Sequence, residues 1–182
     1  AATTKIAMIS APLRSRFSGG IFRLEFYDNG EIEEIIRRSS KLLNKKHTIT
    51  IEDESLAEIA KRSRQTPRTA NYLLKRTRDY AQVHKTPLTK ESVSSALKLI
   101  GIDPVGLTQS DLKLLETIAK KYNGGPVGLN TIAASMSEDE ATIEEFNEPY
   151  LIQIGFIERT SRGRILTDLG YKHLDIDPPV RN

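Results

Sequence analysis

Gly155-Phe156-Ile157-Glu158-Arg159-Thr160-Ser161-Arg162-Gly163-Arg164-Ile165-Leu166-Thr167 is the stretch that decides the fold. Phe156–Thr160 and Arg164–Thr167 read as two short strands. Ser161-Arg162-Gly163 supplies the turn between them. The segments before this hairpin read as helices. Thr108-x-x-Asp111 has the spacing of a capping box, and Leu112, Leu115, Ala119 and Tyr122 follow on one face. Asn123-Gly124-Gly125-Pro126 is a turn, and Leu129–Met136 a short helix. Ser137-x-x-Glu140 is a second capping-box pattern, leading to Ile143, Phe146, Tyr150 and Leu151, with Pro149 expected to kink or tighten that helix. Three helices and then a hairpin is the order of a winged helix, a helix-turn-helix variant.

Upstream, Asp103–Leu107 reads as a linker, with Pro104 and Gly106. Before it, four helices are expected. One carries Ile32, Ile35, Ile36, Leu42 and Leu43, after the turn Asp28-Asn29-Gly30. A second holds Leu56, Ile59 and Ala60. A third starts at Thr66-Pro67, with Thr as cap and Pro at the first helical position, and turns Ala70, Leu73, Leu74 and Thr77 inward. The fourth starts near Thr89, faces Val93, Ala96, Leu97 and Ile100 inward, and stops at Gly101. The fold class is therefore mainly α: a four-helix bundle followed by a winged-helix domain with a C-terminal β-hairpin. The expected divisions are residues 1–24, 25–103 and 104–182. Residues 1–24 read either as the tail of a larger domain or as a disordered terminus. A strand signal at Ile21–Phe26 has no partner nearby.

Composition narrows the function. Leu 19, Ile 19, Val 5 and Phe 5 make about a quarter of the 182 residues, enough for a packed core. No apolar run is long enough to span a membrane, no signal peptide is visible, and a cytoplasmic location is expected. The chain has no Cys, and its three His are far apart, so thiolate catalysis is excluded and no metal site is expected. Charge is uneven. Residues 1–24 and 25–102 each carry +4, and 103–182 carry −5. A basic first half points to phosphate chemistry. The acidic last third demands that any DNA contact there be local.

Three arginine groups carry the candidate chemistry. Arg159, Arg162 and Arg164 surround the hairpin turn with no acid between them, a pattern suited to phosphate oxygens as well as to an ordinary solvated loop tip. The helix before the hairpin holds Glu138, Asp139, Glu140, Glu144, Glu145 and Glu148, which disfavours base reading by that helix. Arg68 occupies the first turn of its helix, against the helix dipole, so an external anion such as a triphosphate, or a neighbouring acid, must favour it. In Pro12-Leu13-Arg14-Ser15-Arg16-Phe17, two Arg between apolar anchors suit either a solvated loop or a phosphate site on a neighbouring subunit. No G-x-x-x-x-G-K-[ST] occurs, and Pro126 removes an N–H from the Gly-rich turn, so the chain as given is not expected to hydrolyse ATP unaided.

These segments closely resemble the RuvB family of Holliday-junction branch migration motors. The resemblance rests on Ala2-Thr3-Thr4, Ala11–Phe17, Leu24-Glu25-Phe26-Tyr27, Thr66–Asn71, Gly124–Leu129, Glu148–Gln153 and Arg159–Arg164. It implies a homohexameric AAA+ ATPase, using ATP with Mg2+, of which this chain holds the end of the ATPase domain (1–24), the helical lid (25–103) and the winged helix (104–182). It implies a nucleotide-free chain in isolation, sequence-independent binding to duplex arms, and the junction-binding partner RuvA docked through an upstream part. By match, Thr4 resembles a γ-phosphate sensor and Arg16 the arginine finger offered to the next subunit. Tyr27 resembles a residue beside the adenine and Arg68 the lid arginine that reads nucleotide state. Arg159, Arg162 and Arg164 resemble DNA-backbone contacts. The chain departs from the family pattern at Ser18-Gly19-Gly20, in a longer Asn44–Ile51 segment, and at Glu140, where some members have a basic residue. The alternatives from other classes are a non-enzymatic winged-helix DNA-binding regulator and an interaction-only adaptor.

Overall fold

The computed structural model describes residues 2–3, 6–17, 19–43 and 49–179. A single 3-10 turn (Ile6–Met8) and α1 (Ala11–Ser15) precede an extended stretch. Ile21–Phe26 forms no strand and pairs with nothing among the described residues, and Phe22 and Leu24 are 85% and 92% exposed.

Four helices form the first packed unit: α2 (Asn29–Leu43), α3 (Asp53–Lys61), α4 (Pro67–His84) and α5 (Lys90–Leu99). Their apolar stripes meet in one core of Ile32, Ile36, Leu56, Ile59, Ala70, Leu73, Leu74, Leu88, Val93 and Leu97, among others. Each Leu, Ile or Val among them contributes roughly 1.5–3 kcal/mol on burial. Thr89 caps α5 by accepting from Ser92 N–H, while Ser92 accepts from Thr89 N–H. Three expectations fail at helix ends. Leu42 faces solvent because it lies off the face that carries Ile32, Ile36 and Leu43, and Ile100, the C-cap of α5, is only partly covered while Ile102 packs on the core. Thr66 stands at the N-cap of α4, but its hydroxyl donates to the Arg64 carbonyl at 3.0 Å instead of accepting from the helix. Of the longer segment 44–51, residues 44–48 lie outside the described residues; Ile51 forms a lone parallel bridge with Leu88.

The second unit holds α6 (Gln109–Glu116), which runs into a π-helical stretch (Thr117–Lys121), α7 (Leu129–Met136), α8 (Glu140–Thr142), a π turn (Ile143–Asn147) and α9 (Glu148–Gln153). Then come β1 (Ile157–Thr160), β2 (Gly163–Leu166) and α10 (Asp168–Leu174). Leu107, Leu114, Leu115, Ile118, Ile132, Ile143, Leu151, Ile157, Leu166 and Tyr171 are among its core. The Thr108/Asp111 capping box is present. The Ser137 one is not: Ser137 ends α7 in the left-handed region (φ 55°), and Asp139 occupies the next N-cap without a side-chain bond. Pro149 loosens the helix instead of tightening it. Its ring and missing N–H disturb the turn before it, and that turn opens into the π form. In the wider turn Asn147, not Phe146, follows Ile143 inward, and Phe146 is 72% exposed. α10 was not expected from the pattern. Thr167 caps it, accepting from Gly170 N–H at 3.1 Å.

Candidate nucleic-acid interface

The wing is a four-residue antiparallel ladder in which Ile157 faces Leu166, Glu158 faces Ile165, Arg159 faces Arg164 and Thr160 faces Gly163. Ser161 and Arg162 alone make the turn. Thr160 closes it, its hydroxyl donating to the Gly163 carbonyl at 2.9 Å and accepting from Arg162 N–H at 3.3 Å.

The Gly-rich turn before α7 serves this wing. Val127 N–H donates to the Arg164 carbonyl at 3.0 Å, Arg164 N–H returns to the Val127 carbonyl at 2.8 Å, and Leu166 N–H donates to the Gly124 carbonyl at 2.9 Å. The turn thus lies along β2, joined to it by an isolated antiparallel bridge between Val127 and Arg164. Close approach explains its glycines. A Cβ on Gly125 (φ +88°) would fall 2.2 Å from the Arg164 carbonyl oxygen, and one on Gly163 (φ +135°) 2.3 Å from that of Val127. These backbone donors are spent on pairing, which is why the turn is no phosphate cradle.

Register places Arg159 and Arg164 directly opposite each other, an arrangement that like charges resist. Glu148, 1% exposed at the start of α9, resolves the conflict. Arg164 donates to both carboxylate oxygens, through Nε to Oε1 and through Nη2 to Oε2 at 3.2 Å. Arg159 donates through Nη2 to Glu148 Oε2 at 2.5 Å and to Glu144 Oε1 at 3.1 Å. Burial pushes the Glu148 carboxyl up, but hydrogen bonds from Arg164 and then Arg159, with their charges, outweigh it and hold the group below the usual glutamate range. Arg159 is held above the ordinary arginine value, chiefly by its bond to Glu148. Glu148 was legible in the sequence only as part of an acidic run; the signal for its role was the pair of Arg that any hairpin centred on Ser161-Arg162 sets face to face.

The three wing arginines are therefore unequal. The Arg164 side chain is 12% exposed and paired with Glu148. Arg159 is 47% exposed and anchored at its far edge. Arg162 is exposed at the turn and has no side-chain partner among the described residues. A neutral platform thus carries one uncompensated guanidinium at its tip.

The nucleotide candidates stand apart from the wing. Arg68 is exposed in the first turn of α4, with no side-chain partner among the described residues and no acid in that turn. Since Thr66 does not cap, the leading N–H groups of α4 also lack a side-chain acceptor. Arg16 is exposed at the end of α1, and Tyr27 is 44% exposed before α2. Thr4 lies outside the described residues. No hydrogen bond or ion pair among the described residues joins Arg16, Tyr27 and Arg68.

Comparison with known proteins gives the arrangement a lineage. The RuvB AAA lid domain family matches residues 27–103, and the RuvB C-terminal winged helix domain family matches 104–175. The chain is 52% identical over 182 residues to the Holliday junction branch migration complex subunit RuvB of Dehalococcoides mccartyi, covering all of this chain and 50% of that protein. It is 50% identical over 181 residues to the same subunit of Solibacter usitatus, covering 99% of this chain and 51% of the relative. The solved structure of the Thermotoga maritima RuvB Holliday junction branch migration motor superposes with a TM-score of 0.86 at 46% identity, over 95% of this chain and 57% of that one. The chain spans about half the length of the curated relatives it matches. With both of its packed units matched in order, and the whole chain aligned at about half identity, the chain belongs to the RuvB family and carries that family's lid and C-terminal winged helix.

Proposed function

We propose that this chain is the lid and winged-helix part of a cytoplasmic, ATP-driven motor that moves Holliday-junction branch points in recombination and repair. The observation that carries the reading is the guanidinium of Arg162, without a side-chain partner among the described residues, at the tip of a wing whose other two arginines are paired. One exposed cation on a rigid hairpin holds phosphate oxygens weakly and without regard to base sequence. Arg159 adds its open edge. Arg164 acts by holding the wing on α9.

In the intact protein, a homohexamer partnered by RuvA, residues 1–24 close the ATPase domain; the exposed Phe22 and Leu24 suit burial against it. ATP with Mg2+ is held there, with Thr4 as sensor and Tyr27 at the base. Arg68 and the uncapped start of α4 fit an anionic phosphate group. Arg16 is offered to the nucleotide of the next subunit, where it stabilises charge on the transferring phosphoryl group. Nucleotide state is read at Arg68 and delivered to DNA at Arg162.

Binding of this chain to random-sequence duplex across a salt series tests the wing. The expected result is salt-sensitive, sequence-blind affinity, and a log–log slope that flattens by about one unit in Arg162→Ala. An unchanged slope, or affinity that follows base sequence, removes the wing from DNA contact.

A further inference from the structure

Arg64 and Gln65 stand side by side between α3 and α4, both in the left-handed region (φ 54° each). Two successive non-glycine residues in that conformation are uncommon and persist only where their surroundings hold them. Here the surroundings belong to the other domain. The guanidinium of Arg64 donates through Nε to the Gly106 carbonyl at 2.8 Å and through Nη2 to Asp111 Oδ2, and it lies 4.9 Å over the Tyr150 ring. Gln65 bonds Gln153 of α9. Asp111 is fully buried in α6, where Oδ2 also accepts from Thr108 N–H at 2.7 Å and Oδ1 from Asn147 Nδ2 at 2.7 Å. The other polar contacts across this junction end on the linker itself: Tyr150 hydroxyl to the Val105 carbonyl at 2.7 Å, and His173 Nε2 to Asp103 Oδ2 at 2.8 Å. Arg64 goes further, from the lid past the linker into the first and third helical segments of the winged helix.

Its position along the chain matters as much. Arg68 follows it with three residues between, and its carbonyl accepts from the Thr66 hydroxyl that would otherwise cap α4. The segment that ends in the exposed Arg68 is thus the segment clamped to Asp111. We propose that Arg64 is a positioning residue that makes the lid and the winged helix one rigid body, so that a rotation imposed at Arg68 reaches the wing undiminished. The rigid junction stands on the contacts alone; its use in nucleotide-driven motion rests on the function proposed above.

The test has two arms. Residual dipolar couplings of this chain report the orientation of each domain separately. In the unaltered chain, α2–α5 and α6–α10 are expected to share one alignment tensor. In Arg64→Ala each domain should still fit its own couplings, showing that it is folded, but the two tensors should differ. Arg64→Lys, which keeps the charge and loses the two-pronged guanidinium, gives the same separation and serves where the alanine variant disturbs folding. One shared tensor in a folded variant, or two tensors in the unaltered chain, overturns the proposal. In the intact protein, Arg64→Ala should raise the ATP consumed per branch-point step several-fold, with KM for ATP unchanged. Unchanged consumption per step overturns the transmission role. Arg68→Ala should instead alter KM. Normal nucleotide handling in Arg68→Ala refutes the reading of the lid while leaving the result on the junction intact.

Discussion

The guanidinium of Arg164 and the carboxylate of Glu148 form a two-point pair in which both carboxylate oxygens are engaged and both side chains are largely withdrawn from water. Removing one member strands the other in a poorly solvated place. Glu148→Gln should therefore destabilise the winged helix by about 3 kcal/mol, a loss visible in thermal unfolding. Arg162→Ala, at the exposed turn, should leave the unfolding temperature nearly unchanged. Equal effects of the two substitutions would contradict the division of labour within the wing.

The same carboxylate sets an acid limit. Glu148 is held below the ordinary glutamate range because the bonds from Arg164 and Arg159 outweigh the opposing effect of burial. A folded value below the unfolded one gives stabilisation that is complete above about pH 4.3, the unfolded value, and fades as pH falls through the folded value. Winged-helix stability should drop in that acid window, and Glu148→Gln should flatten the drop. Chemical denaturation at a series of pH values measures both.

Glu144 is the weaker of the two acids on Arg159, half exposed and 3.1 Å away. It competes with phosphate for that guanidinium. Replacing it by Gln should strengthen duplex binding roughly two- to fivefold, the scale of an exposed ion pair, and steepen the salt dependence. Fluorescence anisotropy with labelled duplex reads both quantities. Unchanged affinity would mean that DNA does not approach Arg159.

Gly125 and Gly163 face backbone carbonyls at distances no side chain tolerates. Alanine at either position should cost about 2 kcal/mol or more and free the wing from its bridge to Val127. Hydrogen exchange of the Val127 and Arg164 amides, protected in the unaltered chain by their mutual bonds, should accelerate in these variants.

Much of this architecture is written in local pattern. The four lid helices, the Thr108/Asp111 cap and the hairpin follow from periodicity and turn chemistry, which act over a few residues. What was hidden depends on tertiary partners. Nothing near Ser137 says that it ends one helix instead of starting the next. Phe146 seemed inward until Pro149 opened the preceding turn and altered the helical period. The ion pair of Arg164 was not legible among its basic sequence neighbours. Its partner Glu148 lies sixteen residues away and meets it only after α9 packs against the wing. The exposed arginines Arg68 and Arg162 were legible because each sits at an element boundary whose local electrostatics leave it unexplained.

The Val127 pairing has a mechanical meaning. A free two-stranded ribbon twists and bends under load, but β2 is held on both edges, by β1 and by the Gly124–Val127 segment. With four residues per strand, the wing is a short lever of about 13 Å. Its stroke is then set by the angle through which its base turns and by that length. On the function proposed above, a displacement of the wing tip follows the rotation of its base, with little of it absorbed as elastic sag.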